Sequence, residues 1–472
     1  MKRQLAVVLA LFCLPGAAMA QAPSQEDRLL QSRAAEAVIW AMPAVNTDLM
    51  LQAALRAGAR ENEIVYWSRP LGWRNQTLTP NPDAMYLMPF FNTKDGPVVI
   101  EVPPAGDGGS FTANIDDIWQ MALEDAGPSG ADKGAGGKYL LLPPGYGDAI
   151  PPGYIPLQMR VYSGYGLFRS ALRSHADADV AKSAAYARRL KIYRLKDAAN
   201  PPPTKSTDVI DTLFDATIPY DMRFFESLHR IIQNEPWLER DRALIDPLRS
   251  LGIEKGKPFA PDAKTTAALN EGIREAHAWL DRRLETAFEP YFAAARWAVP
   301  ASPELVKAAS NGYSDPDIYP TDARAITYSI GYVGIKRLGA GQFYLMSGKD
   351  KDGDSLEGGK NYRLTVPPNA PVEQYWSVTV YSRDTHALIR DMLRASRSSQ
   401  VADLGKNADG SVDIHFGPEA PAGKESNWVP TRRGERFELL FRLYAPTKPL
   451  FEKKWVLPDL EKVAAVPTGA KQ

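Results

Sequence analysis

The chain has 472 residues with 56 basic and 56 acidic side chains, so it carries no charge excess suited to nucleic acid or to an anionic membrane surface. Its length predicts two or three domains; 39 Pro and 35 Gly point to β-rich architecture, and 44% apolar residues suffice for full cores. A single cysteine, Cys13, excludes an internal disulfide framework and a thiolate metal site.

Lys2 and Arg3 open the chain, an apolar run follows from Leu5 to Leu14, and Ala18-Met19-Ala20 forms a small-x-small cleavage signal. The run is too short to span a bilayer. Together these parts predict a Sec-type signal peptide, residues 1–20, cleaved after Ala20. The expected product is a periplasmic or secreted protein with no integral membrane segment. Cleavage also removes Lys2, Arg3 and Cys13, leaving 54 basic and 56 acidic side chains, a net charge of −2, and no thiol.

Residues 21–60 read as a helical segment with apolar positions at Leu29, Ala34, Val38, Trp40, Leu49 and Leu55, interrupted at Pro43. Residues 61–205 change to short apolar strands set between Pro and Gly, such as Val98 to Val102 and Tyr139 to Leu142. After Pro201-Pro202-Pro203, residues 206–312 return to helical spacing, with Leu269, Ile273, Ala276, Leu280 and Leu284 behind a predicted N-cap at Asp262. Residues 313–472 alternate again with period two. The last long strand sets Phe437, Leu439, Phe441 and Leu443 on one face and Glu438, Leu440, Arg442 and Tyr444 on the other. The expected fold is mainly β with a helical segment: two antiparallel β-sandwich or jelly-roll-like modules joined by an α-helical region.

Four stretches carry a family resemblance: WSRPLGWRNQTLTPNPDAMYLMPFFNTKDGPVVIEVPP at 67–104, ALEDAGPSGADKGAGGKYLLLPPGY at 122–146, GKNYRLTVPPNAPVEQYWSVTVYSRDTHALI at 359–389, and GKESNWVPTRRGERFELLFRLYAPTKPLFEKKWVLPDL at 423–460. In this order they resemble a bacterial exported family of paired domains of unknown function, numbered twelve-fifty-four in the N-terminal half and twelve-fourteen in the C-terminal half. The resemblance implies tandem β-sandwich or jelly-roll modules with a helical insertion, and it implies no reaction. One departure is local: the family's turn often reads Asn-Asn or Asn-Arg-Asp after Thr-Pro, whereas this chain has Asn81-Pro82-Asp83.

Motif chemistry is sparse. The chain lacks a Gly-x-Ser-x-Gly elbow, a Ser-x-x-Lys pair, a P-loop and a dinucleotide fingerprint. His175, His229, His277, His386 and His415 have no metal-ligand spacing, so no metal and no cofactor are expected. Asp350 to Asp354 reads as a hairpin turn, because Gly353 is in the wrong place for a calcium loop.

Three polar-aromatic constellations remain. The first is a Pro-stiffened connection bearing Trp67, Arg74, Asn75, Asp83 and Tyr86, the expected lining of a main cleft, with Arg74 on an anionic or hydroxyl-rich group. The second contains Asp116 and Trp119; neighbouring Asp116 and Asp117 point to opposite faces of a strand and cannot form an acid–base pair by themselves. The third contains Tyr381, Asp384 and His386 together with Glu425, Asn427 and Trp428. Each set also fits simple ordering of its own loop.

These residues suit a binder of a polar small molecule or glycan in an aromatic-lined cleft. The alternatives are a cofactor-free hydrolase of a glycan, amide or ester working through Asp, Glu or His, and a structural envelope protein. Homo-oligomerisation stays open.

Overall fold

The computed structural model describes residues 24–331, 333–337 and 341–464. The leader expected at residues 1–20 lies outside them.

Helix Gln25–Arg56 begins at a capping box in which Asp27 N–H donates to Ser24 Oγ at 3.1 Å and Ser24 N–H donates to Asp27 Oδ2 at 3.0 Å. From Ala37 to Asp48 every residue is buried, because Met222–Asn234, Ala263–Leu284 and Thr321–Ser329 pack around the helix. Gly272 permits one of these close crossings, since a Cβ there would sit 2.5 Å from Ala34 Cβ. Gln25–Arg56 is long and apolar enough to cross a membrane, yet 78% of its apolar window is buried inside the protein. The helices of residues 21–60 and 206–312 therefore form one layer, joined by Thr321–Ser329 from beyond the expected boundary at 313.

The N-terminal strands make two large sheets, beside a two-stranded parallel pair of Asn75–Gln76 with Phe214–Asp215. A six-stranded sheet has the order Ser206–Asp208, Glu63–Tyr66, Met85–Asn92, Ser163–Ser170, Phe111–Asp117, Ala122–Ala126. A four-stranded sheet runs Lys191–Arg194, Val98–Val102, Gly137–Leu142, Tyr154–Gln158. Leu87, Phe111, Ile115 and Phe168 of the first share an apolar core with Val98, Ile100, Tyr139 and Leu141 of the second and with the helical layer. The C-terminal strands repeat the plan. Gln342–Ser347, Phe437–Pro446, Val372–Ser382 and Ser396–Ser398 form one sheet; Trp428–Pro430, Val412–Gly417, Asn361–Val366 and Glu461–Val463 form the other. Phe441, Leu443, Trp376 and Val378 meet Leu364, Ile414 and Phe416 in a second core, joined by Phe292 and Trp297 from the preceding segment.

Pairing is antiparallel through the sheet centres and parallel for three edge strands: Ser206–Asp208, Tyr154–Gln158 and Trp428–Pro430. Each edge strand follows a long connection, and such a connection frees the chain from hairpin geometry.

In both modules the core takes one face of the large sheet. Ordinarily the other face meets water. Here part of each outer face turns to a shared cavity, and Val65, Met88 and Phe90 of the six-stranded sheet pack against Met50, Ala53 and Phe214.

Candidate functional site

Strand alternation decides which residues face this junction. On the six-stranded sheet Arg169 stands opposite Tyr86, Asp116 opposite Tyr165, and Asn114 opposite Leu167, all on the side away from the core. On the C-terminal sheet Arg442 stands between Tyr344 and Ser377, Leu440 is opposite Thr379, and Tyr444 is opposite Tyr375. Between the sheets runs the segment Thr77 to Asp83. Its centre, Asn81, is wholly buried and joins both modules: its N–H donates to Tyr86 Oη at 2.9 Å, while Nδ2 donates to Tyr375 Oη and Tyr444 Oη at 3.0 Å each. Asn81 Oδ1 accepts from Asp83 N–H at 3.0 Å, an Asx turn that the following Pro82 and Asp83 close.

A cavity of about 100 Å³ opens between the faces, with room for several waters or a compact organic molecule. Tyr86, Gln120, Arg169, Tyr344 and Arg442 are among its polar lining, and Met50, Met88, Leu167, Val333 and Ile335 supply much of the apolar remainder.

Its electrostatics are one-sided. Arg169 and Arg442 are both buried, and neither forms an ion pair with a carboxylate among the described residues. Arg169 Nη1 donates to Asn114 Oδ1 at 2.9 Å. Arg442 Nη1 donates to Thr379 Oγ1 at 3.2 Å, and its Nη2 donates to the Thr79 carbonyl at 2.7 Å. Nε of each arginine and Nε2 of Gln120 are enclosed donors without an acceptor among the described residues. The guanidiniums lie against aromatic faces, Arg169 5.8 Å from the Tyr86 ring and Arg442 5.0 Å from the Tyr344 ring. Burial pushes the hydroxyls of Tyr165, Tyr375 and Tyr444 well above the usual phenol range, so they stay neutral and cannot serve as counter-ions.

Asp116 does not supply the missing charge. Complete burial, then repulsion from Asp125 and Asp117, lifts its carboxyl well above the usual carboxylate range, and both its oxygens lack hydrogen-bond partners among the described residues. Asp83 is buried beside the junction, where Ser396 Oγ donates to its Oδ2 at 2.9 Å and His175 Nε2 lies 3.3 Å from its Oδ1.

The eleven residues singled out from the sequence are not brought together. Tyr86 lines the cavity; Tyr381 lies behind Arg442 and donates to the Pro80 carbonyl at 2.6 Å. Trp67 is core, edge-on to Phe214 at 5.1 Å, and Trp119 packs 4.7 Å from Trp40. Arg74 corrects the expected picture: it is exposed, with its guanidinium 4.5 Å from the Trp73 ring and outside the cavity. Asn75 is turned into its own loop, accepting from Thr77 N–H at 3.0 Å and Thr77 Oγ1 at 2.7 Å. Glu425, Asn427 and Trp428 belong to the far C-terminal sheet. There Asn427 clamps Gly405 through paired 2.8 Å bonds and Trp428 Nε1 donates to the Gly417 carbonyl at 2.9 Å, while Glu425 is exposed. Their polarity serves local loop order, which a lone sequence cannot distinguish from ligand contact.

Arg169, Arg442, Tyr344 and Tyr444 were missed as site residues. The available signal was the outer face of the last long strand, where Leu440 and Tyr444 flank Arg442: too apolar a face for water, and therefore a covered one.

Residues 61–194 match the family described as Protein of unknown function (DUF1254), and residues 341–448 match Protein of unknown function (DUF1214). The chain belongs to the family that pairs these two domains. The first match spans most of the six-stranded sheet and its partner, including Arg169; the second spans the sheet that carries Arg442. The cavity therefore lies where the two family domains meet. No curated protein matches the chain. Among solved structures it is similar to the VPA0106 protein of Vibrio parahaemolyticus, at 18% identity over 92% of this chain and 100% of that one, with a TM-score of 0.56. An uncharacterized protein from Burkholderia cenocepacia aligns at 14% identity over 93% and 95% of the two chains, with a TM-score of 0.42. The Vibrio likeness shows a shared fold alone.

Proposed function

We propose that the protein binds a small organic anion, a carboxylate on a compact apolar or aromatic body, in the cavity between its two domains. One observation carries the reading: two buried guanidiniums from facing sheets line the same cavity, and no carboxylate pairs with either among the described residues. Leaving a charge desolvated and unpaired costs several kcal/mol, and evolution retains such a cost where a ligand completes the pair. Guanidinium suits a carboxylate because its planar donors match two oxygens. Gln120 Nε2 adds a neutral donor, and the methionines and aliphatic side chains suit an apolar remainder. The leader read from Lys2 to Ala20 would place this binding in the periplasm or outside the cell.

The test is a thermal-shift panel on the mature chain that pairs each organic acid with its uncharged amide, for example benzoate with benzamide. Acids present at about a hundred times their dissociation constant should stabilise by ~2.7 kcal/mol, and the amides should not. Equal responses to acids and amides would overturn the assignment.

A further inference from the structure

A second cleft of about 230 Å³ lies where helix Ala263–Leu284 meets the turn after strand Val372–Ser382. Glu438 sits behind it, on the same face of the same strand as Arg442, and only 1% of it is exposed. Its Oε1 is 2.7 Å from Nδ1 of the buried His386, and its Oε2 is 3.7 Å from Arg383 Nε. A carboxylate at Nδ1 holds the ring proton there and leaves Nε2 as the lone-pair nitrogen. Nε2 has no partner among the described residues and is not enclosed by protein, so it is the ring atom offered to the cleft. The backbone around it is strained: His386 has φ of 55°, and its N–H and carbonyl are pinned at 2.8 Å to Ser382 and at 2.6 Å by Thr79 N–H. Asp384, close to His386 in sequence, instead lies 3.8 Å from Arg436.

The surroundings select the chemistry. Arg383 is held by Asp281 at 2.9 Å, Arg436 lies near both Asp281 and Asp384, and Arg274 pairs with Glu271 on its own helix, so each arginine that lines the cleft already has a carboxylate partner. His277 stacks on Tyr220 at 3.6 Å, and burial lowers its pKa below the ordinary imidazole value, so it adds no cation at neutral pH. Such a cleft suits an uncharged polar substrate. Ser329 lines it but donates to the Ile326 carbonyl at 2.8 Å, which leaves water as the nucleophile available to His386.

We propose that this cleft hydrolyses small uncharged esters, with His386 as catalytic base and Glu438 as the residue that positions it. Nε2 takes a proton from water as the water oxygen bonds to the acyl carbon, and the carbonyl electron pair moves onto oxygen beside Arg383 and Arg436. On collapse the acyl–oxygen bond breaks, and the leaving alkoxide takes the proton back from Nε2. Ester and water become acid and alcohol, with no oxidant or reductant. The acid is of the class assigned to the inter-domain cavity, although the two assignments rest on different residues.

The test follows nitrophenolate release from 4-nitrophenyl acetate by the mature chain. His386→Ala should lower kcat/KM roughly a hundred-fold. After subtraction of the hydrolysis that imidazole causes without protein, added imidazole should restore turnover in that variant and add nothing to the parent protein's rate, a response that a purely structural histidine would not give. His386→Gln, which keeps an amide near Glu438, should show the same loss if the alanine variant melts early. Glu438→Gln should lower kcat more than it raises KM and change the nitrogen NMR signature of the His386 tautomer, and Glu438→Asp should recover part of the rate. A parent rate no higher than that of His386→Gln, or a folded His386→Ala that imidazole fails to rescue, would overturn the proposal. Neither outcome involves Arg169 or Arg442, so the anion-binding reading would stand or fall separately.

Discussion

Arg442→Met removes a buried charge while keeping a long apolar side chain in nearly the same space. In the ligand-free protein two effects oppose each other. The Thr79 carbonyl and Thr379 Oγ1 lose donors now at 2.7 and 3.2 Å, which costs on the order of 1–3 kcal/mol when the partners stay enclosed. Against this, the penalty of a desolvated guanidinium without a carboxylate disappears; replacing buried ionic groups by apolar ones of similar volume has stabilised proteins by about 1–4 kcal/mol. The two ranges nearly cancel, for a net of about −2 to +3 kcal/mol centred slightly above zero, so the melting midpoint should stay within several degrees of the parent's, at roughly 2–4 °C per kcal/mol for a domain of this size. Binding should move the other way. Loss of a desolvated, charge-assisted contact costs about 2–5 kcal/mol, enough to abolish the acid-induced shift at the concentrations that saturate the parent protein. Scanning fluorimetry in buffer free of organic anions, with and without the best acid of the panel, reads both quantities on one preparation. A variant that melts far below the parent, yet shows the same acid-induced rise, would refute the reasoning and make Arg442 a structural residue.

Arg74→Ala should change stability by no more than about 0.5 kcal/mol and leave the dissociation constant of any cavity ligand unaltered, because the side chain lies on Trp73 at the surface; calorimetric titration checks it. Burial raises the Asp117 carboxyl to about 6, against an ordinary value of 3.8. The folded protein then holds this proton more tightly than the unfolded chain, so the stability contributed by the protonated form is lost as pH rises between roughly 4 and 6. Asp117→Asn keeps acceptors for the Trp119 and Met121 amides, at 2.8 and 3.0 Å, and should flatten that slope and stabilise the protein at pH 7 by on the order of 1–3 kcal/mol, measured by denaturant unfolding at pH 4.5 and 7. Periplasmic material should begin at Gln21; intact-mass spectra retaining residues 1–20 would contradict the leader reading.

Much of the fold was legible because burial leaves a periodic trace. Phe437, Leu439, Phe441 and Leu443 alternate since one side of their strand faces a core, and Leu269, Ile273, Ala276 and Leu280 recur at helical spacing for the same reason. Turn chemistry was legible too: Asp350 accepts from the backbone of Asp352 and Asp354, as a tight turn around Gly353 requires. The candidate site was harder to read. Trp67, Asn75, Asn427 and Trp428 combine polarity with aromatic surface, yet each satisfies its own loop or core. Sequence weight fell on polar-aromatic loops, whereas both arginines of the cavity stand on strands, Ser163–Ser170 and Phe437–Pro446.

By itself, the sequence determined the order of strand-rich and helical stretches, the faces that enter each core, the family to which the chain belongs and the expectation of export. Period two states which side of a sheet a residue occupies, but it says nothing of what stands opposite. Arg169 and Arg442 belong to different family domains, and they line one cavity only because parts of two outer sheet faces turn to it around the Asn81 hub. Likewise, whether His386 pairs with Asp384 or Glu438 was decided by a strand returning from far along the chain to place Glu438 2.7 Å from the ring. Such long-range juxtapositions arise from sheet packing and chain return, which local patterning does not encode.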